Sequence, residues 1–318
     1  NMSNSLVFSW AEKDGRLIHV DDTSLENGLK CGCCCPYCHE KVLARRGNVY
    51  EHGFAHHSET RGANLRICYM VTLYKLAEQI IQTKKYIMAP SYYGIFPPKI
   101  LNFVHVDIDN QFDRDDKQPD VIATTADGKK YLIEFVFDYK VQRKTDLDYK
   151  NLSCIEVDLK GQTLESLEEF LLTSEVGKKW LNNEYYFEKI EDRYRTFNKL
   201  VRVVDTTIEC DNCLIHDNCC AAKPQNHYQK LIIYHNGRTF ALCKIEEYER
   251  TKKIIERQQL QTKEHNRIIN KSVTTEETSR ARENSKSYKE NQTRHIYEIK
   301  DTQQEQERLL QERFNKYK

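Results

Sequence analysis

Two acids stand where acids are expensive. In the stretch Gln118–Lys144, which reads QPDVIATTADGKKYLIEFVFDYKVQRK, Asp120 opens one apolar run and Glu134 lies inside a second. A carboxylate within a run as apolar as Tyr131–Phe137 is costly to bury unless it binds something. Two such carboxylates on neighbouring strands are the minimum for holding a hard divalent cation. The loop between the runs decides whether they meet. A two-residue turn at Asp127-Gly128 pairs Asp120 with Phe135 and sends the two acids to opposite faces. A three-residue loop, Ala126-Asp127-Gly128, puts Gly128 at a left-handed position and pairs Thr125 with Lys129, hence Asp120 with Glu134 on one face. Both registers are open to the sequence, and the second is the one that makes a site.

The cysteines are the other residues whose spacing implies chemistry. There are twelve, and nine of them fall in Cys31–Cys38 and Cys210–Cys220. The chain shows no apolar run of membrane-spanning length and no signal-peptide pattern, so a cytoplasmic location is expected. In that compartment clustered cysteines point to metal ligation rather than disulfides. The first cluster, CGCCCPYC, precedes KVLARRGNVYEHGFAHH. A Cys-x-x-Cys knuckle, a hairpin and paired histidines are the layout of a small structural zinc site, here read as Cys35, Cys38, His52 and His56. Cys31, Cys33 and Cys34 are read as spare thiols. The second cluster has Cys210-x-x-Cys213, then Cys219-Cys220, then Cys243 at the end of a hairpin turning at Asn236-Gly237. It reads as a zinc-ribbon-like site on Cys210, Cys213, Cys219 (or Cys220) and Cys243, with an iron–sulfur cluster as the runner-up.

These residues need elements to position them. Residues 5–20 read as a hairpin around Lys13-Asp14-Gly15. From Asn64 to Thr83 apolar residues recur at helical spacing (Leu65, Cys68, Tyr69, Leu73, Leu76, Ala77, Ile80), which predicts one amphipathic helix. Met88–Pro98 reads as irregular and Lys99–Ile108 as one strand. A helix over about Lys140–Lys150 and a strand at Leu152–Leu159 complete a crossover, with that strand parallel to the one holding Glu134. Residues 163–199 read as two helices separated by Trp180. The expected divisions are 1–62, an N-terminal zinc-finger-like module; 63–200, an α/β core; 201–248, a cysteine-rich module; and 249–318, a charged helical or partly disordered tail.

Several of these stretches carry a resemblance. CPYC, a glycine hairpin, FAH, the LxKLAxxII helix, PDVI, LIEF and CIEVDL occur in that order over roughly residues 5–175. The ordered set resembles the competence-protein CoiA-like nucleases of the PD-(D/E)XK superfamily. The resemblance implies an αβββαβ nuclease core and a metal-dependent nuclease acting on DNA. It maps Asp120 and Glu134 onto the acids that bind Mg²⁺ or Mn²⁺. The lysine such proteins carry two residues after the glutamate is Val136 here, so the cation is assigned to the following helix, Lys144 first and Lys140 second. Positions on the first helix that often hold a Glu and a His correspond to Met70 and Tyr74.

The leading expectation is therefore a Mg²⁺-dependent deoxyribonuclease with up to two structural zinc ions. The alternative is a decayed nuclease fold that serves as a nucleic-acid-binding or scaffold subunit of a DNA-processing or defence complex. Net charge is +1, so no global field steers the chain toward DNA. Thr251–Lys318 holds 16 Lys and Arg against 11 Asp and Glu, a local excess that suits a basic arm or a helix docking a protein partner.

Overall fold

The computed structural model describes residues 6–49, 51–57, 64–108, 119–137, 150–215, 231–276 and 305–309. It is a mixed α/β structure that divides into two compact units, Asn1–Ile190 with Tyr234–Gly237, and Glu191–Ile233 with Arg238–Lys318.

The first unit begins with two small ribbons. Strands β1 (Trp10–Lys13) and β2 (Arg16–His19) pair across a turn in which Asp14 and Gly15 both take positive φ. Strands β3 (Val42–Arg45) and β4 (Gly53–His56) form the second hairpin. Helix α1 (Leu65–Lys84) follows, its start capped by the Asn64 side chain, which accepts from the Arg66 amide at 3.1 Å. Lys85, in the left-handed region at φ 59°, ends it. The expected helix is thus present and nearly to its expected bounds. Its buried face (Cys68, Tyr69, Leu73, Leu76, Ala77, Ile81) joins one hydrophobic core with Phe8, Ala11 and Leu17 of the N-terminal segment. The expected boundary at residue 62 is therefore no break in packing.

Beyond α1 the chain makes two sheets where one strand was expected. Strands β5 (Tyr86–Ala89) and β6 (Lys99–Asn102) pair with each other. Strand β7 (His105–Ile108) instead pairs with β8 (Val121–Thr124). The expected single strand 99–108 is broken at Phe103 and Val104. Phe103 N donates to Lys85 O at 2.7 Å and Val104 N to Thr124 O at 2.8 Å, so successive amides serve different elements. Likewise Met88 and Ala89, expected to be irregular, lie in β5, while Tyr92 and Phe96 close a turn.

The main sheet has the order β11-β10-β9-β8-β7, with β9 (Lys130–Val136), β10 (Cys154–Asp158) and β11 (Lys178–Asn182). Strand β10 runs parallel to β9, as the crossover reading requires, and β11 is antiparallel to β10. The helix expected at Lys140–Lys150 lies outside the described residues except for Lys150. Of the two helices expected over 163–199, the first is α2 (Leu167–Thr173) and the second is divided into the short helices α3 (Glu184–Phe187) and α4 (Ile190–Thr196), with strand β11 between the first and the second. Trp180 does lie between the helices, in a segment that was not expected to be a strand. It lies within the edge strand, its ring packs on Tyr131 and Tyr186, and its indole N–H donates to Pro90 O at 2.9 Å. Packing of this one large aromatic seats the segment at the sheet edge.

The second unit contains β12 (Val201–Asp205), and strands β13 (Ile232–His235) and β14 (Arg238–Lys244) complete a three-stranded sheet in the order β12-β14-β13. The expected Asn236-Gly237 turn is present, with both residues at positive φ. Helix α5 (Ile245–Glu276) follows. Among the described residues no helix is long and apolar enough to cross a membrane.

Candidate metal centres

The knuckle forms because Pro36 fixes the first bend and His39, at φ 60°, takes the left-handed position that closes it. His39 N donates to Cys35 O at 3.0 Å, and Tyr37 N points at Cys35 Sγ at 3.5 Å. These bonds aim Cys35 and Cys38 to one side. The β3–β4 hairpin brings His56 to the same place. The fourth member comes from α1: ligand atoms of Cys35, Cys38, His56 and Cys68 all lie within 4.8 Å of one another. Cys35 is 2% exposed and Cys68 fully buried. Burial pushes the Cys35 thiol up to about 11, against bonds from Cys38 and Tyr37 amides that lower it, and burial together with Cys35 and Cys38 raises Cys68. This set of three sulfurs and one imidazole could hold a metal ion such as zinc. Around a tetrahedral zinc, bonds of about 2.3 Å to sulfur put neighbouring sulfurs about 3.8 Å apart, within that limit.

The expected fourth ligand, His52, is elsewhere. Its Nδ1 faces Asp21 at 2.5 Å on the exposed side of the hairpin. His52 precedes the first residue of β4, so strand alternation does not fix its direction, and it turns to Asp21 instead. Cys68 escaped because a cysteine on the apolar face of a helix reads as a small core residue. Cys31, Cys33 and Cys34 stay outside the group, as expected of spare thiols. Cys31 Sγ bonds to Val42 O at 3.3 Å and Cys33 Sγ to Cys31 O at 3.6 Å.

The acid pair is built by the hairpin. The ladder runs from Val121↔Ile133 to Thr124↔Lys130, and Thr125 N donates to Lys129 O at 2.9 Å across the loop Ala126-Asp127-Gly128. Gly128 sits at φ 80°. The three-residue register is therefore the observed one, and Asp120 stands one step beyond the ladder at the level of Glu134. Asp120 is fully buried and Glu134 is 9% exposed. Asp120 lies at a bend before β8, and its carboxylate is gripped from two sides. Tyr74 of α1 donates to Oδ1 at 3.2 Å and Phe135 N to Oδ2 at 2.7 Å. A carboxylate oxygen carries two lone pairs and can serve a hydrogen bond and a hard cation together.

No family model, curated protein or solved structure matches the chain.

The other expected site residues fall as follows. Lys144, Lys140 and Cys219 lie outside the described residues. Val136 ends β9 opposite Asp158. Met70 is half-buried against the core. Tyr74, which stands where the resembled proteins often have a histidine, donates to Asp120. Cys210, Cys213 and Cys243 are all half-buried, Cys243 opposite Arg202 on β14. Among the described residues they are not gathered as closely as the first group.

The ladder also reveals a row that sequence reasoning missed. Glu134 is level with Glu156 on β10, and Glu156 with Lys179 on β11. Lys179 Nζ meets Glu156 Oε1 at 2.9 Å. The clue in the sequence is the glutamate inside CIEVDL, an acid in an apolar strand like Glu134 itself.

Proposed function

We propose that this chain is a divalent-metal-dependent nuclease acting on DNA, of the CoiA-like, PD-(D/E)XK kind. The observation that carries the reading is the placement of two buried carboxylates, Asp120 and Glu134, at one level of the central hairpin. The order of helix α1, antiparallel β7–β8–β9 and parallel β10 agrees with such a core. A bound Mg²⁺ or Mn²⁺ would neutralise phosphate charge and lower the pKa of a bound water. Asp120 and Glu134 are the residues that would hold it. Tyr74 and the Phe135 amide orient Asp120, as outer partners of metal-binding carboxylates do. Lys144, with Lys140 as second choice, supplies the ammonium that stabilises charge on the phosphorane. Zinc on the Cys35, Cys38, His56 and Cys68 group accompanies this reading as a structural ion. A second zinc on Cys210, Cys213, Cys219 and Cys243, or an iron–sulfur cluster there, is told apart by colour.

Plasmid and single-stranded DNA incubated with Mg²⁺ or Mn²⁺ test this. Cleavage is expected, with loss in EDTA and in Asp120→Ala and Glu134→Ala. Cleavage that persists in both variants removes the mechanism.

A second reading has its own support. Both oxygens of Asp120 already receive hydrogen bonds inside the protein, which suits a fold that has kept its frame without turnover. That protein is a nucleic-acid-binding or scaffold subunit, with α5 as its docking helix; Ile254, Leu260 and Ile268 are exposed along it. It binds DNA in a salt-dependent way, without cleavage, and Asp120→Ala leaves binding unchanged.

A further inference from the structure

We infer that a metal ion held by Cys35, Cys38, His56 and Cys68 is a clasp that fixes helix α1 to the N-terminal hairpins and, through α1, sets Tyr74 against Asp120. The inference rests on ligand geometry and stands whether or not the chain cleaves DNA.

The N-terminal segment is built of short ribbons joined by single bridges such as Phe8↔Phe54 and Glu12↔Cys34. β1–β2 and β3–β4 are two-stranded ribbons of four residues a strand, and such hairpins are marginal in water by themselves. Each also leans on α1. Phe8 packs edge-on against both His56 and Tyr69, with ring centroids 5.4 Å apart in each case. Gln79 reads the β2 backbone with both ends of its amide, donating to Leu17 O and accepting from Leu17 N, each at 2.8 Å. Lys75 faces Glu12 at 3.8 Å.

Against that background the origin of the four ligands is informative. Three come from the knuckle and the second hairpin, and the fourth from the second turn of α1. With His52 as a ligand the metal would have closed one hairpin on its own knuckle. With Cys68 it ties the hairpins to the helix. Three sulfurs and one imidazole, two of the four residues buried and two half-buried, select zinc over hard cations, because thiolate is a soft ligand.

Tyr74 lies six residues beyond Cys68, about 9 Å along a rigid helix. Its ring packs against Phe135 and Phe137, centroids 5.9 and 5.4 Å away, while its hydroxyl bonds Asp120. An error in the seating of the first turns of α1 is therefore carried to the hydroxyl that holds Asp120.

The experiment uses the full chain and no cleavage assay, so its outcome is separate from the fate of the nuclease reading. Bound zinc is counted after purification, and amide exchange is followed in peptides spanning residues 66–76 and 131–137. Cys68→Ser is expected to lose one equivalent of zinc relative to wild type and to exchange at least tenfold faster in both peptides. Wild type stripped by a chelator should do the same, and His52→Ala should change neither. Cys68→His, which supplies a ligand again, should keep the equivalent and shift the visible bands of the cobalt-substituted protein. It also decides the matter if Cys68→Ser does not fold. Retention of the equivalent in Cys68→Ser, its loss in His52→Ala, or its loss without faster exchange at 131–137 overturns the clasp.

Discussion

The hydroxyl of Tyr74, in the third turn of α1, donates to Oδ1 of Asp120 at 3.2 Å, joining the helix to the start of β8 at a point sealed from water. Its partner oxygen takes the Phe135 amide. A buried carboxyl group of this kind is expensive unless bonded. Tyr74→Phe keeps the ring packing and removes one bond to it. The expected loss is about 1.5–3 kcal/mol, the range for bonds to charged groups. Urea unfolding measures it, and a midpoint equal to wild type would refute the assigned role.

Gly128 sets the register that levels Asp120 with Glu134, at φ 80° and with nothing within 4 Å of where a Cβ would sit. Space is not the obstacle, so Gly128→Ala should cost only the backbone penalty of the left-handed region, about 1–2 kcal/mol. Gly128→Asn should cost less, because asparagine tolerates that region. Paired denaturation curves give both values. Equal losses in the two variants would remove the conformational explanation.

The same loop has an acid-sensitive element. Bonds from Lys129 at 2.6 Å and from Thr125 hold Asp127 down at about 2. A carboxyl lowered in the folded state contributes stability that is fully present above its ordinary value near 4. That contribution is lost as pH falls through about 2. Carbon-detected titration of Asp127 should show a midpoint near 2, moving upward in Lys129→Ala. No movement would assign the shift to something else.

His235 brings a second pH dependence. It is 4% exposed, stacked on Phe187 at 3.7 Å, and 3.1 Å from Glu184. Burial lowers it below the ordinary histidine range, and Glu184 and Glu188 oppose that shift. Because the folded value is the lower one, its contribution is complete above about 6.5 and declines as pH falls below that. Wild type should therefore lose more melting temperature between pH 7 and pH 5 than His235→Phe, which keeps the stack. A larger loss in the variant would reverse the sign.

What the sequence determined by itself was local. Asn236-Gly237 as a turn, the Cys35/Cys38 knuckle and the length of α1 follow from backbone preferences that act over a few residues, whereas two loop lengths were open at Gly128 until the structure showed the three-residue one. Register then levels Asp120 with Glu134, because strand periodicity leaves no freedom once the loop is set. The tertiary structure alone decided which residues from distant segments share a place. Cys68 displaced His52 from the metal group because α1 docks on the knuckle. Trp180 became an edge strand because Tyr131 and Tyr186 receive its ring. Tyr74 reached Asp120 across 46 positions of chain. Such choices are made by packing and burial, energies summed over the whole core, and no window of sequence contains them.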